Sequence, residues 1–556
     1  MYSTLAAIFI GLPALYTTLW LAWLLLRSQV LSRYTGIPVI QNLGDAQPLK
    51  KKLKGTAVVC GGSIAGLLAA RVCHDLFENV LIIEPEAWLN TEDGMRRFSW
   101  EQTGRRSRVM QYYSVQGLQV LCYHGLSKLF PDLEKECNYS GIVVASAEPT
   151  AAIAGVPLRR PAPEGKALPY SMEASRAAFE TLIRQVRIHF ALSDIRYKHH
   201  YKASVTGIVL RSDDPSRIGK VLVRQSVSQS SRSLEIDVSL VIDCTGITRA
   251  GSKWLAQAGY GTADAYPKGK LPLKDLKISL DQKLHYYTLI CDVPPSVLKK
   301  MPFPGNIDRE RSVYAFLEDK LSEANGRRIF SLNKWEGPRV SLFVGQYKES
   351  LKVEYPSFTS IRSLLHDLVG TAPVPEWVFQ CVDILEEAQV EINYSHVRIP
   401  PSTYIRYHQG INLPSNFVAS GDSIMSVDPL FGQGATKALL GAVSIRTVLS
   451  KLGYPETIPG NFSELYFKEQ HDRTHQYWQG TRMIAYGHPF TIPIPGDDLK
   501  AGTFIRWYSG KLRSLAVKDM AASSAIWNST MGFGTPVDIF HPALLIKTFW
   551  RLIYDS

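Results

Sequence analysis

The chain has 556 residues, 45% hydrophobic and 20% charged, with a net charge of +12. That is enough for two or three domains around a large core, and it excludes disordered and low-complexity classes. The positive balance favours anionic surroundings, either phosphate-bearing cofactors or an acidic membrane face; the basic residues are scattered, without a zinc-finger, helix-turn-helix or RNA-binding signature, so no nucleic acid partner is expected.

Residues 5 to 26 carry no charge, and as a helix they would extend about 33 Å, enough to cross a bilayer. No basic segment precedes the run and no small-residue cleavage site follows it, so a transmembrane anchor is expected rather than a signal peptide. Arg27 and Arg33 follow at once, which by the positive-inside rule puts the rest of the chain in the cytosol, in a eukaryote at the endoplasmic reticulum. Residues 27–54 read as a linker closing on Lys50, Lys51, Lys52 and Lys54; the cluster suits either anionic headgroups or plain solvation.

The apolar run Ala57 to Cys60 stops at Gly61, Gly62, Ser63, Ile64, Ala65 and Gly66, an Ala/Leu-rich helical run follows, and a second apolar run from Val80 closes on Glu84. This is the order of a βαβ unit that holds a dinucleotide. Gly61 permits the tight turn, Gly66 lets helix and strand pack closely, and the helix start offers N–H groups to a pyrophosphate. Glu84, 23 residues after Gly61, is placed to accept from a ribose. Ser63 stands where the pattern has its middle glycine, so binding is adjusted rather than excluded.

Five arginines fall in the thirteen positions from Arg96 to Arg108, either a solvated loop or a source of charge for phosphates. An amphipathic helix is expected around Gln116 to Phe130, another from near Glu173, and strands over Ala203 to Leu210 and Leu234 to Ile242, the latter ending in Asp243-Cys-Thr-Gly246. From Lys270 to Ile399 longer alternating runs, Lys277 to Val293 and Arg339 to Tyr347 among them, predict an inserted antiparallel sheet. The segment Gly421, Asp422, Pro429, Gly432, Gln433, Gly434 is a strand end, a Pro/Gly loop and a helix start. An Asp there binds a sugar hydroxyl, and free N–H groups meet an electron-rich ring or oxyanion; taken alone it is also compatible with a structural turn.

His471 and His475 sit four apart on an expected helix, compatible with a metal or a solvated face. Residues 540–554 mix aromatic, aliphatic and basic side chains and suit an interfacial helix or packing on the catalytic domain. Seven cysteines at irregular spacing, with no C-x-x-C pair, argue against a disulfide framework and a zinc site.

In this order the motifs resemble the flavoprotein monooxygenases of the para-hydroxybenzoate hydroxylase type (group A), including squalene epoxidase-like enzymes. Gly61 to Gly66 with Glu84 is similar to their FAD ADP-binding motif, and Gly421-Asp422 with Pro429 and Gly432-Gln433-Gly434 to their second FAD motif, where the Asp reaches the ribityl chain and the loop meets the isoalloxazine. Asp243 to Gly246 occupies the place of their middle motif, in a form closer to reductase-like and epoxidase-like relatives, and Arg108 matches their arginine near the flavin. The resemblance spans roughly residues 55 to 450.

It implies an α/β fold: a Rossmann-like FAD-binding domain (55–260 and 406–450) with an inserted, mostly antiparallel substrate domain (261–405); the residues themselves add the expected transmembrane anchor at 5–26, the linker at 27–54 and a helical region at 451–556. It also implies FAD as cofactor, NAD(P)H as co-substrate without a nicotinamide domain of its own, and transfer of one oxygen atom from O₂ to substrate; the expected anchor points to a lipophilic small molecule, hydroxylated or epoxidised, and secondary metabolism is the expected setting. The rivals are a prenyl reductase-like enzyme without oxygen insertion and a tethered binding protein on a vestigial scaffold. A halogenase is disfavoured because no Trp-x-Trp-x-Ile-Pro motif is present.

Overall fold

The computed structural model describes residues 2–43, 51–163, 165–191, 197–227, 230–304, 313–318, 326–349 and 355–554. Five parallel strands form its central sheet, in the order Phe417–Ala419, Leu240–Asp243, Leu53–Cys60, Phe77–Glu84 and Tyr197–Tyr201. The inner strands are largely apolar where the sheet packs against helix Ile64–Leu76 and against the antiparallel strands Ala203–Leu210 and Ile218–Val227. Cys60 pairs with Asp243 and Asp243 with Ala419, so three strands end at one level and release their loops side by side. Ligands of open parallel sheets bind at that carboxyl edge.

A seven-stranded sheet lies beside it, in the order Ile392–Arg398, Leu284–Asp292, Arg339–Tyr347, Arg327–Lys334, Val313–Leu317, Ala151–Ile153 and Val156–Pro157. It is antiparallel except where Val313–Leu317 runs parallel to Ala151–Ile153. Its two short outer strands come from ahead of residue 261, so the sheet is wider than the inserted segment alone. Alternate residues serve different neighbours. Tyr287, Leu289, Leu342 and Val344 pack on the side of the helices Phe358–Asp367 and Glu376–Glu387, while Leu284, Tyr286, Phe343 and Tyr347 join Leu430. The second face is thereby turned toward the loop that carries Pro429.

Several element boundaries differ from the sequence reading. The helix expected near Glu173 is a strand, Tyr170–Glu173, with the helix starting at Arg176. The run Lys277 to Val293 breaks into Lys277–Leu280 and Leu284–Asp292, divided at Lys283, whose φ of 55° no strand accommodates. Leu234 to Ile242 likewise divides into Ser230–Asp237 and Leu240–Asp243. All seven cysteines are free and buried, in line with a chain built without disulfides.

The segment read as an anchor lies in one 33-residue helix, Tyr2–Tyr34. Among the described residues no helix is long and apolar enough to cross a membrane; the side chains of residues 5–10, part of the expected span, lie outside the description, as do Lys50 and the rest of 44–49 in the linker. The C-terminal part of this helix docks on the folded unit: Trp23 Nε1 donates to Val537 O at 2.9 Å, and Arg27 pairs with Asp538 at 2.7 Å.

Candidate functional site

The dinucleotide loop is built by glycines for which no other residue has room. Gly61 has φ +115°, and a Cβ there would fall 2.5 Å from the Cys244 carbonyl oxygen. One on Gly66 would fall 1.8 Å from the Gly61 carbonyl oxygen, so this glycine sets how closely helix Ile64–Leu76 approaches the strand. Ser63, its N-cap, makes no capping bond with its side chain. Its Oγ instead donates to Glu180 at 2.8 Å and accepts from Arg176 at 2.7 Å. The first-turn N–H groups, those of Ile64 and Ala65 among them, are thus left for an outside acceptor.

Glu84 is 1% exposed. It accepts from Gly62 N at 2.8 Å and Glu86 N at 3.0 Å, and Arg106 reaches it at 3.2 Å. Arg106 also pairs with Glu86 and Glu180. One guanidinium therefore ties three buried carboxylates to the loop, and a ribose hydroxyl would have to share a Glu84 oxygen with these donors. Burial pushes Glu84 up in pKa against the pull of Arg106. At Glu180 burial also opposes the charge, but Arg106, Arg176 and Arg184 outweigh it and hold the group below its ordinary value. Arg108, the arginine picked out from the sequence, is exposed, and its backbone N–H donates to Glu86 at 3.0 Å. Within that run the arginine turned inward to Glu84 is Arg106, while Arg176 from outside the run reaches the loop at Ser63. Arg106 and Arg108 stand in one basic run, and only the packing of the loop distinguishes them.

Asp243 is fully buried and turned into the chain. It accepts from Thr245 N and Oγ1 at 2.9 and 2.7 Å and from Gly251 N at 3.0 Å, which fastens the start of helix Ala250–Gln257. Its partner in the sequence motif, Gly246, donates to Ser423 Oγ at 2.9 Å and so links the middle segment to the late one.

The late segment meets the first directly. Gly421 has φ +67°, and a Cβ on it would lie 2.6 Å from the Ala65 Cβ. Next to it Asp422, its side chain 48% exposed, accepts from Lys437 Nζ at 2.7 Å. Lys437 is wholly buried and also donates to Met425 O. Burial lowers the lysine's pKa against the pull of Asp422; burial opposes ionised Asp422 too, but Lys437 outweighs it and holds the acid below its ordinary value. Sequence reasoning missed this lysine, although its place three residues after Gly434 was visible. A buried, paired Lys on the first turns of a glycine-started helix is the signal.

Pro429 opens a short turn that Asp428 caps, its Oδ1 accepting from Leu430 N at 3.0 Å. Gly432 (φ +62°) presses on the Gly117 backbone. Gln433–Lys451 then begins without a side-chain cap, with Gly434 exposed and nothing within 4 Å of its would-be Cβ. The wholly buried Asp428 also accepts from the Tyr347 hydroxyl at 2.8 Å. The ring of His488 stacks on Tyr347 at 3.9 Å between centroids.

Two uncapped helix starts thus belong to segments that touch where Gly421 meets Ala65. One faces the nucleotide loop and the other lies under the seven-stranded sheet. A long ligand with phosphates near its middle and an electron-rich ring at one end matches that donor set. His471 and His475 stand apart from it. Tyr404 Oη lies 2.7 Å from His471 Nδ1 and 3.2 Å from His408 Nδ1, and His471 stacks between His408 and His475. They are half-buried rather than solvated, and no group of side chains suited to a metal occurs among the described residues.

No protein-family model matches the chain. It is 23% identical over 468 residues to protein Rv3254 of Mycobacterium tuberculosis, spanning 82% of this chain and 86% of that one. Among solved structures it is similar to a flavoprotein/dehydrogenase from Cytophaga hutchinsonii, with TM-score 0.55 and 12% identity over 90% of this chain and all of that one. It is also similar to the flavin-dependent brominase Bmp2, with TM-score 0.52 and 12% identity, again over 90% of this chain and all of the other. The likeness is one of fold: a mixed α/β flavoprotein architecture in which parallel and antiparallel sheets stand side by side.

Proposed function

We propose that the chain is an FAD-dependent monooxygenase that uses NAD(P)H and O₂ to hydroxylate or epoxidise a lipophilic small molecule, aromatic, terpenoid or polyketide, in secondary metabolism. One observation carries the reading: the left-handed Gly421 packs on Ala65, which brings the glycine loop and the segment leading to Pro429–Gly434 together, as gripping both halves of one FAD would require. When bound, FAD supplies electron transfer to O₂ and delivery of the oxygen atom.

The chain's own work is binding, orientation and exclusion of water. The turn at Gly61 to Gly66 and the helix start behind it hold the pyrophosphate. Asp422, kept ionised by Lys437, accepts from the ribityl hydroxyls. The uncapped start of Gln433–Lys451 offers N–H groups to the electron-rich end of the ring. Tyr286, Ile329, Phe343 and Val397 pack with Leu430 of the adjoining loop, an apolar cluster that would exclude water beside a bound ring and suit a lipophilic substrate. No side-chain nucleophile is required.

A second reading, hydride transfer without oxygen insertion, is favoured by the likeness to a flavoprotein/dehydrogenase. Solubilised protein should bind FAD and consume O₂ in step with NAD(P)H oxidation once the right substrate is added, and labelled dioxygen should appear in the product. Turnover without oxygen would replace this reading with the second. A protein that carries no flavin and refuses added FAD would point to a binding protein.

A further inference from the structure

From Gly11 to Ala22 every residue of the N-terminal helix is exposed, with Leu12 at 62% and Leu15 at 56%. The stretch Gly-Leu-Pro-Ala-Leu-Tyr-Thr-Thr-Leu-Trp-Leu-Ala carries no charge. A helix apolar on all sides belongs in an apolar medium, because no orientation gives it a face for water. A partner docking on one side would leave the rest uncovered. At Trp23 the helix reaches the folded unit, where the indole meets His541 edge-on at 4.5 Å and donates to Val537 O.

That contact brings in a second apolar surface. Helix Pro542–Tyr554 packs beside the N-terminal helix and beside Thr503–Ala516. It exposes Ile546, Phe549 and Trp550, three and four residues apart and therefore on one face; Thr503–Ala516 exposes Phe504 and Trp507 in the same way. The two faces adjoin, with Trp507 and Phe549 rings 6.0 Å apart. Exposed Lys511, Lys518 and Lys547 border them, Lys547 held by Asp519 at 2.6 Å. Aromatic side chains edged by lysines are the composition of a surface that lies at the boundary of a bilayer, and the excess of positive charge matches anionic headgroups.

We propose that the uncovered stretch Gly11 to Ala22 and the aromatic faces of Thr503–Ala516 and Pro542–Tyr554 form one lipid-binding surface, the helix entering the bilayer and the two C-terminal helices resting in its anionic interface. The chain is thereby held at several points, and a lipophilic compound dissolved in the bilayer lies beside the protein.

The test uses the full chain in vesicles of equimolar phosphatidylcholine and phosphatidylserine that carry a photoactivatable group on the acyl chains. Labelled peptides should come from residues 11–22 and also from 503–508 and 545–551; label confined to the N-terminal helix overturns the proposal. Phe504→Glu, Ile546→Glu and Trp550→Glu combined change side chains more than half exposed, so the melting transition should hold while vesicle affinity falls by about tenfold or more. Unchanged affinity, or a dimer in which a second copy covers these faces and blocks the label, would equally overturn it. Labelling requires no flavin, so failure here leaves the flavin reading standing.

Discussion

The hydroxyl of Tyr347 donates to Asp428 Oδ2 at 2.8 Å, and through this bond the seven-stranded sheet holds the loop that begins at Pro429. Asp428 is buried, and burial raises its pKa. Because the folded value lies above the unfolded one, the fold binds the proton more tightly. Stability then falls as pH rises from the ordinary carboxylate range through the folded pKa. Tyr347 relieves part of that cost by donating to the ionised form. Tyr347→Phe should therefore lose about 1–3 kcal/mol at neutral pH and less in acid, while Asp428→Asn should flatten the dependence; melting curves over pH check both.

Removing Arg106 takes the cation from Glu84 and Glu86 and leaves Glu180 to Arg176 and Arg184. Arg106→Met should cost about 3–5 kcal/mol, the range for breaking a buried ion pair. Arg108→Ala, at an exposed side chain, should stay within about 0.5 kcal/mol. Urea unfolding of the two variants measures the difference. A larger loss from Arg108→Ala would mean that the loop is anchored otherwise than through Arg106.

Lys437→Met should separate stability from cofactor binding. Asp422 keeps about half of its side chain exposed, so it is not stranded when its partner goes, and a methionine fills the lysine's space. Stability should change by less than about 1 kcal/mol. The carboxylate loses the cation that orients it, and FAD affinity should drop about tenfold. Flavin fluorescence titration reads the second quantity and a melting curve the first.

Two glycines of the site should respond in opposite ways. Gly66→Ala forces a Cβ onto the Gly61 carbonyl oxygen, which separates helix from strand; the variant should lose both stability and flavin. Gly434→Ala has open space around it, and alanine in a helix is favoured over glycine by about 0.5–1 kcal/mol. The melting temperature of flavin-free protein should rise slightly. Weaker flavin binding at the same time would mark the ring's approach to that backbone.

These positions also show what a sequence reveals. The glycine motifs were legible because Gly61, Gly421 and Gly432 answer a local backbone demand, and so were the strand ends that carry them. Arg106 and Glu180 were not, because their pairing arises between segments far apart in the chain, and Lys437, though near Asp422 in sequence, pairs with it only through the fold of the intervening loop. In the arginine-rich run, only the neighbouring elements decide which side chain turns inward. The outer strands Ala151–Ile153 and Val156–Pro157 were missed for a similar reason: such short pieces acquire strand character from the sheet they join.

The contact between Gly421 and Ala65 has a bearing on biosynthesis. The strand that leads into Gly421, Phe417–Ala419, forms the outer edge of the central sheet against Leu240–Asp243. While the ribosome is still translating the middle of the chain, Leu240–Asp243 is itself a bare edge, apolar up to Asp243, a shape that invites misassembly. The emerging polypeptide must keep that edge shielded until about three quarters of it has been made, and only then is the proposed cofactor site complete.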